Sequence, residues 1–333
     1  MMRAVVMTAV GGPEVLQIVA LPMPRIDGDH QVLVRLAAAG VNPIDTKLRA
    51  HGLYMDRPLP AVLGCDGAGE VVAVSDDVRG FQTGDAIYYC YGGLGQACGS
   101  YAEYAVVDSR YVALVPIGLD LATAAAAPLV LITAWEALFD RAGIASGMKV
   151  LIHAGAGGVG HVAIQLAKEA GCEVATTVSS EEKAALATEL GADLVLRYDQ
   201  QDVVAELLRW SGGGVDMALD TVGGVAFHQA AESVRPYGDL VTLLQLPQDA
   251  DWKGLRLRNV RLSQELMLTP MVLGMDDAAE HQAAILEQCG QMMEQRKLMV
   301  MVDDILPLEQ AAEAHRRVET GHMAGKLVLA MES

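Results

Sequence analysis

Hydrophobic and polar positions repeat with two different periods along this chain. Up to residue 120 the period is two. Residues 1–6, 31–36, 69–74, 85–89 and 104–107 alternate apolar and polar side chains or form short apolar runs, the spacing of half-buried β-strands. Gly11-Gly12-Pro13, Pro22 to Pro24, Gly80, Gly84 and Gly92-Gly93 stand between them and turn the chain. Many short strands separated in this way predict a partly open β-barrel. Helical spacing then covers 120–127. Pro128 predicts an interruption, with a second helix over 133–142. From Met148 onward strands and helices alternate. Strands are predicted at 149–152, 173–178, 194–196, 215–219 and 240–244, and helices at 161–168, 181–190, 202–209 and 225–234. That alternation predicts an α/β fold with a doubly wound parallel sheet. One more strand (259–265), a long amphipathic helix (276–296), two strand-like pieces and a helix (308–319) complete the chain.

Composition narrows the setting. A length of 333 residues predicts about two domains, and 52% hydrophobic residues supply a sizeable core. The net charge of −18 disfavours a nucleic-acid surface. No apolar run is long enough to span a bilayer, and the N-terminus enters a strand pattern without a secretion-leader profile. Five scattered cysteines read as reduced thiols. Together these predict a cytoplasmic protein with neither a membrane nor a nucleic-acid partner.

The chemistry starts where the period changes. Gly155-Ala156-Gly157-Gly158-Val159-Gly160 follows the strand at 149–152 and opens a helix. Gly155, Gly157 and Gly160 match G-x-G-x-x-G, the loop that presents backbone N–H groups and a helix N-terminus to a dinucleotide pyrophosphate. On this reading Gly155 permits the tight turn, Gly157 lets the pyrophosphate approach, and Gly160 lets helix and strand pack. The eight histidines show no metal spacing. His153 and His161 read as packing or capping residues, and His315 and His322 as solvated helix positions.

Four stretches carry a resemblance over nearly the whole length: Ala39-Gly40-Val41-Asn42-Pro43-Ile44-Asp45, Leu63-Gly64-Cys65-Asp66-Gly67-Ala68-Gly69-Glu70-Val71, the glycine loop, and Gly325-Lys326-Leu327-Val328-Leu329. Through them the chain resembles the medium-chain dehydrogenase/reductases, in the zinc-independent quinone oxidoreductase (zeta-crystallin-like) branch. The resemblance implies a discontinuous GroES-like catalytic domain (1–122 and 266–333), a Rossmann domain (123–265), a cleft between them and a homodimer.

It also implies residue roles. Zinc relatives hold their metal with cysteine and histidine side chains; the matching places here are Asn42, Cys65 and Leu129, so no metal is expected. An NAD site places a carboxylate after the second strand of the nucleotide fold. Here that place falls at Val178, followed by Ser179 and Ser180, which can donate hydrogen bonds, with Lys183 as a cation. Relatives that use NADPH carry a lysine and a tyrosine at Lys183 and Tyr198, so NADPH is the expected cofactor. Thr133, Thr221 and Lys326 match positions near the cofactor. Asn42, Asp45 and Tyr54 match positions lining the substrate cleft, and Lys47 stands where many relatives have tyrosine. Without a Lewis acid an unactivated alcohol is hard to deprotonate, whereas a quinone or an α,β-unsaturated carbonyl accepts hydride directly. The expected activity is NADPH-dependent reduction of such an acceptor. The alternatives are an NADP-dependent alcohol or sugar dehydrogenase and a non-catalytic NADPH-binding regulator.

Overall fold

The computed structural model describes residues 1–55, 58–95 and 97–331. The chain folds as two compact units, Met1–Leu129 with Leu268–Ser333, and Val130–Met267. In chain order the first unit begins with β1 (Met2–Met7), β2 (Leu16–Leu21), β3 (Gln31–Val41), α1 (Pro43–His51), β4 (Ala61–Val62), β5 (Asp66–Val74), β6 (Ala86–Cys90), β7 (Tyr104–Asp108), β8 (Val112–Leu114) and α2 (Leu121–Ala126). Next comes α3 (Pro128–Trp135), continued by π-helical turns over Glu136–Arg141. The second unit then runs β9 (Lys149–Ile152), α4 (Gly158–Glu169), β10 (Glu173–Val178), α5 (Glu181–Glu189), β11 (Leu194–Arg197), α6 (Val203–Ser211), β12 (Val215–Asp220), α7 (Val225–Ser233), β13 (Val234–Thr242), α8 (Trp252–Leu257) and β14 (Arg261–Gln264). The first unit resumes with α9 (Thr269–Leu273), α10 (Asp276–Glu294), β15 (Val302–Pro307), α11 (Ala311–Thr320) and β16 (Lys326–Ala330).

The first unit is built around β3. This strand is long, and its register against β5 shifts twice, between Leu33 and Val34 and between Leu36 and Ala38. Such bulges bend a strand. Opposite β5, the first half of β3 pairs with β7 and the second half with β16. The bend therefore delivers Val41 and Asn42 beside the start of β16, where Lys326 stands. A three-stranded sheet, β2-β1-β4, accompanies the larger one. The segment 123–129, expected with the nucleotide domain, belongs to the first unit, where α2 packs on β3 and β5.

The second unit is a six-stranded, all-parallel sheet in the order β11-β10-β9-β12-β13-β14. Leu151, Ala175, Ala218 and Leu240 on its strands pack with Leu207 of α6 and Phe227 of α7. The order reverses beside β9, the switch point at which open α/β sheets bind ligands.

Three local expectations change. The helix over 120–127 does break before Pro128, ending at Ala126, but the next helix starts at Pro128 itself and not at 133, because a first-turn position needs no amide N–H. The strand expected at 240–244 begins earlier, at Val234, and ends at Thr242. Strand β2 was not announced by the pattern, because only Leu16 of it is buried and its partner β1 imposes the extended form. Among the described residues no helix is long and apolar enough to cross a membrane.

Candidate functional site

In the second unit, β9 ends at Ile152 and the glycine loop turns into α4. The left-handed residue of the turn is Ala154, with φ 53°, and not Gly155. Gly155 is needed for space: a Cβ there would lie 2.2 Å from Thr176 Oγ1 on β10. Gly160 is needed more strongly, because its Cβ would lie 2.1 Å from the Ala154 carbonyl oxygen. Gly157 is different. No atom would come closer to its Cβ than that same carbonyl oxygen, at 3.1 Å, so its bare backbone leaves room for a ligand. Gly157 caps α4, and the first turn holds Gly158, Val159 and Gly160 with no acidic residue. Their N–H groups lack intrahelical acceptors, and the helix dipole adds positive potential. Ala156 is buried beneath the loop, while Gly157, Gly158 and Val159 are half-buried at its mouth. These residues fit a dinucleotide pyrophosphate.

The loop is tied to its neighbours. Gly155 N–H donates to the Thr177 carbonyl (3.1 Å), and the Thr221 hydroxyl donates to the His153 carbonyl (2.9 Å). Thr221 thus pins the end of β12 to the end of β9. Thr133 is buried in α3. Burial holds the His153 imidazole neutral, with its pKa lowered to about 4. At the end of β10, Ser180 caps α5 by accepting the Lys183 N–H (3.2 Å), and Ser179 is half-buried beside it. Tyr198 is exposed, and its N–H donates to the Val178 carbonyl (3.3 Å). Arg197 was not anticipated. It pairs in register with Val178, and the position of a strand's last residue beside its neighbour is not readable from local spacing.

In the first unit, Asn42 and Asp45 form a capping box at the start of α1, which leaves Asp45 Oδ1 buried without a hydrogen-bond partner. The Asn42 N–H donates to Asp45 Oδ2 (2.8 Å), and Asn42 Nδ2 donates to Asp66 Oδ2 (2.8 Å). Lys326 Nζ donates to Asn42 Oδ1 and to the Val41 carbonyl (3.1 Å), with Asp66 Oδ2 at 3.6 Å. Asp66 Oδ1 also accepts the Leu129 N–H (2.9 Å). Burial pushes the Asp66 carboxyl up, while Lys326 and Asn42 pull it back. The Tyr101 hydroxyl lies 3.1 Å from Asp45 Oδ2 and 3.2 Å from His315 Nε2. Burial, reinforced by the Asp66 charge, drives the Asp45 carboxyl up to about 7 against the pull of the Asn42 N–H, Lys326 and Tyr101. His315 is fully buried, which corrects its reading as a solvated position. It shares the inner face of α11 with Ala311 and Ala314. Burial and the neighbouring Arg49 lower its pKa to about 3. His322 lies past the end of α11 and is exposed. Lys326, expected near the cofactor, is thus joined to Asn42 and Asp66. Lys47 is exposed on α1, and Tyr54 is exposed beyond it.

The three places matched to zinc ligands do not fit a metal. Both side-chain atoms of Asn42 are engaged and the Lys326 ammonium sits against them. Cys65 shares a hydrogen bond with Cys90; that bond pulls the thiol down, but burial and the carboxylates of Asp45 and Asp66 raise it overall. Leu129 offers only its main chain. Among the described residues no three His, Cys, Asp or Glu side chains gather as a metal set. The five cysteines, all among the described residues, form no disulfide.

Comparison with known proteins identifies the family. Residues 28–117 match the alcohol dehydrogenase GroES-like domain, and 190–329 match the zinc-binding dehydrogenase family. A quinone oxidoreductase of Pseudomonas aeruginosa is 33% identical over 99% of both chains. A zinc-type alcohol dehydrogenase-like protein of Staphylococcus epidermidis is 33% identical over 90% of both. A mycobacterial structure solved in complex with NADPH superposes with a TM-score of 0.87 at 31% identity, covering 99% of this chain and all of that one. A GroES-like unit and a Rossmann unit in one chain define a medium-chain dehydrogenase/reductase. The chain belongs to that superfamily, in its quinone oxidoreductase branch, and is an oxidoreductase.

Proposed function

We propose that this protein is an NADPH-dependent reductase of quinones or α,β-unsaturated carbonyls that works without a metal. The observation that carries the reading is the end of β10. No carboxylate occupies Val178, Ser179 or Ser180, where an NAD site keeps one for the ribose, and the main chains of Tyr198 and Lys183 are hydrogen-bonded to Val178 and Ser180. When bound, the reduced nicotinamide supplies a hydride. Gly155, Ala156, Gly157, Gly158, Val159 and Gly160 hold the pyrophosphate, and Ser179, Ser180, Lys183 and Tyr198 hold the adenosine end. Thr133 and Thr221 orient the nicotinamide end.

Asn42 and Asp45 are carried into the proposal from the family resemblance as polar groups for the charge that develops on the acceptor oxygen. Lys326 holds its ammonium against Asn42 Oδ1, and Asn42 is in turn fixed by Asp66. Burial raises the Asp45 carboxyl to about 7, while its Oδ2 accepts from the Asn42 N–H and the Tyr101 hydroxyl. Lys47 and Tyr54 are exposed candidates for meeting the acceptor. The absence of a fitting ligand set at Asn42, Cys65 and Leu129 supports metal-free chemistry.

A homodimer with a small-molecule substrate is part of the proposal; β14 is the last strand at one edge of the nucleotide-binding sheet. The test is a panel of quinones, enones and aldehydes with NADPH, run against simple alcohols with NADP⁺. Turnover is expected with the electron-poor acceptors. Turnover confined to the alcohols would refute the proposal.

A further inference from the structure

We infer that Arg197 is the anchor for the adenosine 2′-phosphate and that Asp199 occupies its guanidinium until the nucleotide arrives. The inference rests on the NADPH reading and adds to it a residue and a competitor.

Strands β11, β10 and β9 are adjacent and parallel, so their C-terminal ends share one edge of the sheet. The glycine loop leaves β9 at that edge and is bonded to the end of β10 through Gly155 and Thr177. Arg197 is the last residue of β11 and stands beside Val178. That is the position from which a ribose 2′ substituent is read. Its main chain is fixed by a bond from its N–H to Gln201 Oε1 (2.7 Å).

The guanidinium is a planar fork, matched to phosphate oxygens as a lysine ammonium is not. Asp199 now fills that fork: Arg197 Nε donates to Oδ1 at 3.0 Å and Nη2 to Oδ2 at 2.8 Å. Glu181, at the start of α5, adds a looser contact of 3.6 Å. Asp199 and Glu181 are 42% and 87% exposed, and ion pairs with exposed partners are weak. A phosphate carrying nearly two charges can displace a single solvated carboxylate. Glu181 and Glu182 act on Arg197 beside Asp199, so three carboxylates surround this one guanidinium. Carboxylates on both flanks thus oppose the phosphate even as Arg197 attracts it. Removing Arg197 or removing Asp199 must therefore shift affinity in opposite directions.

Calorimetric titration with 2′,5′-ADP and with 5′-AMP tests this without turnover, beside titrations with NADPH and NADH. Arg197→Gln is expected to weaken 2′,5′-ADP and NADPH by roughly tenfold or more while leaving 5′-AMP and NADH unchanged, which also shows that the variant is folded. Asp199→Asn is expected to tighten 2′,5′-ADP and NADPH by a few fold, again without effect on NADH. If wild type prefers NADPH but Arg197→Gln keeps that preference, the assignment to Arg197 is overturned and the cofactor reading survives. If Asp199→Asn leaves NADPH binding unchanged, the competition by Asp199 is overturned. If wild type binds NADH as tightly as NADPH, the cofactor reading itself falls.

Discussion

The glycine loop and the polar cluster around Asn42 solve the problem of placing charge in opposite ways. The loop works with backbone: the first turn of α4, after Gly157, offers N–H groups, and no residue of that turn is acidic. The cluster works with side chains. Asn42, Asp66 and Lys326 bond to one another, and Asp45, Tyr101 and His315 form a second chain beside them. A backbone site is stable without its ligand, because its open donors remain hydrated. A buried side-chain site is stable only when its members satisfy each other. The loop should therefore tolerate change at its mouth, and the cluster should not.

The largest expected effect comes from breaking the cluster. Lys326→Met leaves Asp66 buried without its cation and should lower stability by about 3–5 kcal/mol, read from the urea midpoint. A loss no greater than that for an exposed lysine would contradict the interdependence of the cluster. Next comes the sealed side of the loop. Gly160→Ala pushes a Cβ into the Ala154 carbonyl and should cost about 2–3 kcal/mol, with nucleotide affinity falling at least tenfold by calorimetry.

The cluster should also show a characteristic pH dependence. Folding raises Asp45 from 3.8 to about 7, so the folded chain binds a proton that the unfolded chain releases between those values. Stability from this group is present at low pH and is lost as pH rises toward 7, by at most about 1.4 kcal/mol per unit. His315 carries the opposite sign. Its pKa falls from 6.5 to about 3, so its contribution is present above 6.5 and is lost as pH falls. Denaturation across pH should show Asp45→Asn improving relative to wild type toward pH 7, and His315→Gln improving relative to wild type toward pH 4. Parallel curves for either variant would remove that group from the account. The smallest effect belongs to the open mouth of the loop. Gly157→Ala should change stability by less than about 1 kcal/mol yet weaken nucleotide binding several fold, and an unchanged affinity would show that no ligand approaches there.

The same contrast explains what could be read from the sequence. The glycine loop is contiguous, with a strand before it and a helix after it, so its spacing reveals both fold and chemistry. The parallel sheet was legible for the same reason, as a regular alternation of short apolar runs and helices. The cluster gathers residues from β5, the start of α1, Tyr101, α11 and β16, across most of the chain. Nothing local distinguishes His315, within a stretch of charged neighbours, from a solvated histidine; its burial comes from packing of the Ala311 and Ala314 face. Asn42, Asp45 and Lys326 were found through family resemblance, but their mutual bonding was not. Arg197 escaped because only strand register places it beside Val178.

The central claim is tested most directly by kcat/KM for NADPH and for NADH with one quinone acceptor, measured in the presence of a metal chelator. The account predicts undiminished turnover under chelation and an efficiency with NADPH at least roughly tenfold above that with NADH. Equal efficiencies, or activity abolished by the chelator and restored by zinc, would contradict it.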